Sequence, residues 1–151
     1  MKNLDNHLLR DIGTLSRAIH YMSDVENKRY GLKKGQFIFL TRICENPNIS
    51  FIELSNMLKV DKTTTTKAVN KLIDLNYVKK ETDKQDRRAY NLIATEEGKK
   101  LYDEIIKQEN KQIEICLKGF SDDEKELVLN FVNRISTNVD LEWMKVKLNK
   151  K

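Results

Sequence analysis

The sequence predicts a mainly α-helical chain of 151 residues with one small β-hairpin in its middle. Apolar residues recur every three or four positions over most of the chain, which is the helical period. Gly and Pro are few, at 5 and 1, and 34% of the residues are charged, a composition that favours a helix-rich globular protein. Only residues 77–82 and 89–93 combine β-branched and aromatic residues on either side of a polar turn, as hairpin strands do.

The N-terminal segment predicts a long first helix with an apolar seam that needs a partner helix. Its apolar residues alternate in steps of four and three, as in a heptad repeat. They are Leu8, Ile12, Leu15, Ile19 and Met22. The segment contains no uninterrupted apolar stretch, so we expect neither a secretory signal nor a membrane span. We therefore expect a cytoplasmic protein.

Three shorter helices are expected next. The first follows Gly31 and ends before Pro47, because Pro interrupts a helix. Ser50 and Glu53 have the spacing of a capping box, which marks the start of the second helix. Asp61 is the expected N-cap of the third. Only two residues separate the second helix from this cap, so the pair predicts a helix-turn-helix.

Two helices are predicted beyond the hairpin. Asn76 is expected to end the third short helix, since Asn tolerates the left-handed conformation. Thr95 is the expected cap of the next helix, and Ser121 with Glu124 forms a capping box for the last one. The last helix carries an apolar stripe made of Val128, Val132, Ile135 and Val139.

The order of these elements predicts a winged helix-turn-helix flanked by N- and C-terminal dimerisation helices. We expect a dimerisation helix over residues 1–30, the winged helix-turn-helix over 31–95 and further dimerisation helices over 96–151, together forming one intertwined unit. A twofold dimer would bury each exposed seam against the same seam of its mate.

Four consecutive Thr residues at positions 63–66 are the most informative segment. Such a run costs a helix roughly 2 kcal/mol relative to good helix formers, so a requirement other than helix formation must favour it. Thr side chains suit phosphate oxygens and base edges, and the first turn of a recognition helix enters the major groove of DNA. We assign Thr65 to packing, one turn before Val69. The residues expected to face DNA are Lys62, Thr63, Thr64, Thr66, Lys67, Asn70 and Lys71. The alternative is a solvated helix face with incidental Thr.

The hairpin turn is the second candidate contact with DNA. It presents Lys84, Arg87 and Arg88, and an Arg at such a tip can enter the narrow minor groove. Asp86 is expected to orient Arg88 or bind turn amides. Residues 59–93 hold nine basic and five acidic residues, so +4 of the chain's net charge of +5 lies in this segment. The alternative is an ordinary exposed turn.

No constellation of residues points to catalysis or metal binding. Cys44 and Cys116 lie far apart without CxxC spacing, and we expect both to be buried small apolar residues. His7 and His20 are isolated, which gives no specific metal signal. We therefore expect no enzyme, no cofactor and no metal.

At this point the chain resembles the MarR family of bacterial transcription regulators, over essentially its whole length. The matching features are residues 32–37 with Leu40, residues 54–58, residues 60–67 with Leu72, the Asp-x-Arg pattern at 86–88, and residues 95–98. The resemblance implies a homodimer that binds a pseudopalindromic operator in double-stranded DNA, usually as a repressor that a small molecule releases. Asn76 and Ala94 depart from the family's usual Gly and Leu without threatening the fold. A winged-helix protein-interaction module without DNA binding remains the alternative.

Overall fold

The computed structural model describes residues 3–83 and 89–149, which form two compact units, residues 1–111 and 112–151. Over the described ranges the elements are α1 (Leu8–Asn27), a 3-10 helix (Lys28–Tyr30), α2 (Gln36–Glu45), β1 (Ile49–Ser50), α3 (Phe51–Leu58), α4 (Lys62–Asp74), β2 (Val78–Thr82), β3 (Tyr90–Ala94), α5 (Glu96–Cys116) and α6 (Asp122–Leu148). The predicted fold class, mainly helical with a small sheet, is confirmed.

The helix starts follow the predicted capping residues. The Ser50 hydroxyl accepts the Glu53 N–H, and the Glu53 carboxylate accepts the Ser50 N–H in return. The Ser50 N–H, followed by the Ser50 hydroxyl, holds the pKa of Glu53 below its usual value. Ser121 and Glu124 form the same reciprocal pair at the start of α6. Each box satisfies amide groups that a helix N-terminus would otherwise leave unpaired.

The sheet has three antiparallel strands in the order β1-β3-β2, where two were predicted. β2 and β3 pair from Val78 with Ala94 to Thr82 with Tyr90. β1 adds only Ile49, opposite Leu92, and Ser50, opposite Asn91. A strand of two residues carries no period-2 pattern, so nothing in the sequence distinguishes β1 from the turn before α3.

The core of the first unit joins α2, α3, α4, the first half of α5 and the sheet. Its most completely buried apolar residues are Leu32, Leu40, Ile43, Leu54, Val69, Leu72, Val78, Leu92 and Ile105. Leu32 lies just before α2, and the others come from the helices and from the two longer strands. This core fixes α4 against the sheet and leaves one side of that helix to solvent.

α1 and α6 keep most of their apolar residues at the surface of the chain. Along α1, four of the five predicted seam residues are exposed and Ile19 is partly buried. Along α6, Val132 and Val139 are more than half exposed, Val128 and Ile135 are partly buried, and no described residue is fully buried. Exposure of this extent is unusual for helices of a monomeric protein.

Candidate nucleic-acid interface

α3 and α4 are joined by a tight turn. The chain leaves α3 at Lys59, which adopts the left-handed conformation with φ 56°. The Val60 N–H then donates to the Ser55 carbonyl over 3.0 Å. Asp61 is extended and caps α4 by accepting the Thr64 N–H over 2.8 Å. The predicted helix-turn-helix, with Asp61 as N-cap, is thereby present.

A chain of hydroxyl hydrogen bonds fixes α4 against α3. The Ser55 hydroxyl donates to the Thr65 hydroxyl over 2.8 Å, and the Thr65 hydroxyl donates to the Asp61 carbonyl over 3.1 Å. Thr65 is fully buried, as its assignment to packing requires. Buried hydroxyls without partners are costly, so this pairing sets the position of the first turn of α4.

The seven residues of α4 expected to face DNA all reach solvent. Lys62, Thr63, Thr64, Lys67 and Asn70 are exposed, while Thr66 and Lys71 are partly buried. The inward side of the same helix is formed by Thr65, Ala68, Val69 and Leu72. Three lysines, three threonines and Asn70 therefore share one solvent side of α4. We refer to this side as the Thr/Lys face. Their contact with DNA stays a prediction.

Two of the exposed threonines bind their own helix. The Thr64 hydroxyl donates to the Asp61 carboxylate over 2.7 Å, in addition to the N–H bond at the cap. The Thr66 hydroxyl donates to the Lys62 carbonyl over 2.8 Å. The Thr64 hydroxyl, followed by the Thr64 N–H, holds the pKa of Asp61 below its ordinary value. The sequence predicted only the capping role of Asp61, although the Asp-x-x-Thr spacing is the signal for both bonds.

The hairpin is well paired up to the residues that flank its turn. The Asp83 N–H donates to the Ala89 carbonyl over 3.0 Å, and the Asn91 amide donates to the Asp83 carboxylate over 2.8 Å. On β2, the Lys80 ammonium lies 5.1 Å from the centre of the Tyr90 ring. The predicted contact residues Lys84, Arg87 and Arg88 and the orienting residue Asp86 lie outside the described residues.

A compact junction attaches the hairpin to α5 and to the end of the 3-10 helix. The Tyr77 hydroxyl donates to the Tyr30 carbonyl over 3.1 Å. The Thr95 hydroxyl donates to the Asn76 carbonyl and accepts the Gly98 N–H, which confirms Thr95 as the cap of α5. Asn76 has φ 60°, the predicted left-handed conformation. These bonds tie the start of β2 to two helices.

The two cysteines occupy different environments. Burial raises the pKa of the Cys44 thiol to about 11, so almost none of it is thiolate at neutral pH, which disfavours redox sensing there. Cys116 is exposed, and the expectation that it is buried is wrong. It lies at the end of α5, where apolar spacing continues beyond the part of the helix that packs in the core. No group of three or more possible metal ligands occurs among the described residues.

No helix within residues 3–83 and 89–149 combines the length and the hydropathy that crossing a membrane requires.

Comparisons with known proteins agree with this geometry. The family model described as the MarR family matches residues 30–89, which run from the 3-10 helix to the hairpin. The uncharacterized HTH-type transcriptional regulator YybA of Bacillus subtilis (strain 168) is 36% identical over 146 residues, which cover 97% of each chain.

Two solved structures are similar over nearly the whole chain. A MarR protein from Peptoclostridium difficile is 53% identical, with a TM-score of 0.92, and the match covers 97% of this chain and 95% of that one. A putative MarR family transcriptional regulator from Listeria monocytogenes, solved in complex with 26mer DNA, is 35% identical with a TM-score of 0.89 and the same coverage. The chain therefore belongs to the MarR family of transcriptional regulators.

Proposed function

We propose that this transcriptional regulator is a cytoplasmic homodimer that binds a pseudopalindromic operator through α4 and the hairpin turn, and that it represses transcription until a small molecule releases it. The observation that carries the proposal is the Thr/Lys face of α4. It places Lys62, Thr63 and Lys67 in solvent at the start of the second helix of a helix-turn-helix. That is the part of the motif that enters the major groove.

The relative from Listeria monocytogenes supports DNA as the partner, because it was solved with 26mer DNA and is similar to this chain along its length. The charge of residues 59–93 supports the same partner. A winged-helix module that had lost DNA binding would have no need for this basic surface. Such a module is therefore the weaker candidate.

The apolar surfaces of α1 and α6 support the homodimer. Ile12, Leu15 and Met22 are 42%, 55% and 42% exposed, and α6 has Val132 and Val139 at 54% and 53%. A second copy offers the same surfaces, so in a twofold dimer each apolar set could be buried against the matching set of the mate. We retain residues 1–30 and 96–151 as the dimerisation segments and 31–95 as the DNA-binding domain in this proposal.

Selection of bound fragments from genomic DNA with the purified full-length protein tests the proposal. We expect a small set of fragments that share an inverted repeat, some of them next to promoters. Lys67→Glu should abolish this enrichment, because it places a negative charge on the Thr/Lys face. Lys33→Glu makes the same charge change at an exposed residue before α2, outside α4, the hairpin turn and the dimerisation segments, and should retain it. Equal enrichment with Lys67→Glu, or no enriched sequence with the unaltered protein, would contradict DNA binding through α4.

A further inference from the structure

The hydroxyl protons of Thr64 and Thr66 are already used within the protein. Thr64 donates to a carboxylate oxygen of Asp61, and Thr66 donates to the backbone carbonyl of Lys62. The direction of both bonds is fixed by chemistry, because neither a carboxylate nor a carbonyl oxygen has a proton to give. A hydroxyl has a single proton. What Thr64 and Thr66 can offer to a partner is therefore a methyl group and oxygen lone pairs.

These bonds also restrict the side-chain rotamers. A Thr in a helix has two favoured values of χ1, and the choice depends on whether its oxygen bonds back to the preceding turn. In Thr64 the oxygen is directed to the residue three positions earlier, and in Thr66 to the residue four positions earlier. Each methyl group is then confined to one staggered position. Asp61 acts as a positioning residue for Thr64.

Thr63 differs from Thr64 and Thr66. It is exposed, and over residues 3–83 and 89–149 its hydroxyl forms no hydrogen bond with the protein. Its proton is available to a partner. The run of four threonines therefore contains one buried residue, one free donor and two residues without a free proton.

The groups that DNA presents respond differently to these side chains. Phosphate oxygens and the guanine N7 and O6 atoms accept hydrogen bonds, so they would face the lone pairs of Thr64 and Thr66 without attraction. In the major groove an A·T pair offers the adenine N6 amino donor and a G·C pair the cytosine N4 amino donor, so the lone pairs of Thr64 and Thr66 do not by themselves distinguish the two pairs. Only the A·T pair adds a methyl group, that of thymine, which is complementary to the methyl groups of Thr64 and Thr66.

From this geometry we infer that Thr64 and Thr66 select A·T base pairs through contacts between their methyl groups and the thymine methyl group, whereas Thr63 is the hydrogen-bond donor of the run. This inference rests on the proposed function, since it requires α4 to lie in the major groove. It goes further by dividing one set of similar side chains into two chemical roles.

Replacing thymine by deoxyuridine in the operator tests the inference, because it removes only the methyl group of the base. Each thymine of the selected half-site is replaced in turn, symmetrically in both half-sites, and the affinity is measured by fluorescence anisotropy. With the unaltered protein, we expect at least two positions at which the replacement weakens binding about 4-fold per half-site, the value of one buried methyl group.

The variant Thr64→Ser keeps the bond to Asp61 and loses the protein methyl group. It should bind the thymine operator about 4-fold more weakly per half-site and become insensitive to deoxyuridine at one of these positions. Thr66→Ser should do the same at another position. Thr64→Val keeps a methyl group and should stay sensitive. Thr63→Ser is the matched control, which removes a methyl group one residue away and should leave every deoxyuridine effect unchanged.

The outcomes separate this inference from the function on which it rests. If no duplex is bound specifically, the proposed function and the inference both fail. The operator could be bound while, at every position, the affinity lost through the serine variant and the affinity lost through deoxyuridine are independent, so that the two factors multiply. In that case the inference alone is overturned. It is also overturned if Thr63→Ser, rather than the other two serine variants, removes the sensitivity to deoxyuridine. Melting temperatures of the free variants confirm that each one is folded.

Discussion

Thr65 joins the two helices of the helix-turn-helix through its hydroxyl as well as through its packing. It accepts a hydrogen bond from Ser55 on α3 and donates one to the Asp61 carbonyl. Both hydroxyl-bearing residues are buried, at 4% exposure for Ser55 and 0% for Thr65. The position of the Thr/Lys face therefore depends on a residue that cannot itself touch DNA.

Thr65→Val should lower the free energy of unfolding by about 1 to 3 kcal/mol, because it fills the same space but leaves the Ser55 hydroxyl without its acceptor. Combined with Ser55→Ala, the total loss should be smaller than the sum of the two single losses by about 1 kcal/mol. Urea unfolding of the four proteins measures this coupling. Thr63→Val, on the exposed side, should change stability by less than about 0.5 kcal/mol. Strict additivity of the first pair would show that the hydroxyl chain contributes nothing.

These single residues show how far the sequence alone could be interpreted. The burial of Thr65 was predictable, because it lies one turn before Val69 on the apolar side of the helix. Its bond to Ser55 was not, since the partner lies ten positions away on another helix. Cys116 was assigned wrongly because the spacing of apolar residues indicates a helix face but does not tell what covers that face.

The start of α5 lies very close to the backbone at the start of the hairpin. A Cβ atom added at Gly98 would lie 2.0 Å from the Tyr77 carbonyl oxygen, which is far inside van der Waals contact with rigid backbone. The same segment holds the Thr95 cap and the bond from Tyr77 to Tyr30. Glycine at this position lets α5 begin directly against β2.

Gly98→Ala should therefore destabilise the protein by about 3 kcal/mol or more, since the added methyl group can be accommodated only by moving backbone. Gly13→Ala is a suitable control, because its added atom would meet only the flexible Arg17 side chain, at 3.3 Å. Alanine is the better helix former, so this control should be neutral or stabilise by up to about 1 kcal/mol. Thermal unfolding measures both. Equal stability of the two variants would contradict the close packing at the junction.

For the turn between β2 and β3, the sequence predicts a contact with DNA through Arg88. Arg88→Ala should weaken binding to operator and random duplexes alike, because a cation near the minor groove or backbone acts on DNA of any sequence. The plot of log affinity against log salt should become less steep by roughly one unit per protomer.

Thr64→Ala should instead reduce the binding free energy for the operator by on the order of 1 kcal/mol and leave the affinity for random DNA unchanged. If the salt dependence of DNA binding is unchanged in Arg88→Ala, the turn is an ordinary exposed loop without a role in DNA binding.

Among the secondary-structure elements, the sequence predicted the longer helices and the hairpin, but neither the 3-10 helix (Lys28–Tyr30) nor β1 (Ile49–Ser50). The capping boxes at Ser50 and Ser121 and the cap at Thr95 each combine a side-chain acceptor with helical spacing, and all three begin a helix. β1 was missed because its two residues gain their strand character only by pairing with Leu92 and Asn91. Pairing between distant residues is a tertiary effect that local patterns do not contain.

On the scale of the whole molecule, the exposed seams of α1 and α6 predict that folding and dimerisation are coupled. Ile12→Glu combined with Ile19→Glu should yield a monomeric or unfolded protein, because two charges would lie on a surface that the dimer buries. Sedimentation velocity and circular dichroism distinguish these states. The control is Arg10→Glu with Arg17→Glu, which has the same spacing on the other side of α1 and should leave a folded dimer. A folded dimer of the Ile12→Glu, Ile19→Glu protein would show that the seam is not the interface.

In the proposed complex, a twofold dimer presents two copies of α4 to one face of DNA. Hydroxyl-radical footprinting of the purified protein on its selected operator detects this arrangement. We predict two symmetric protected regions on the same face of the duplex, with half-sites about one helical turn, ~10 bp, apart, because each protomer would place its α4 in one major groove. Protection of a single asymmetric region no longer than half a turn would show that the protein does not bind DNA as a twofold dimer.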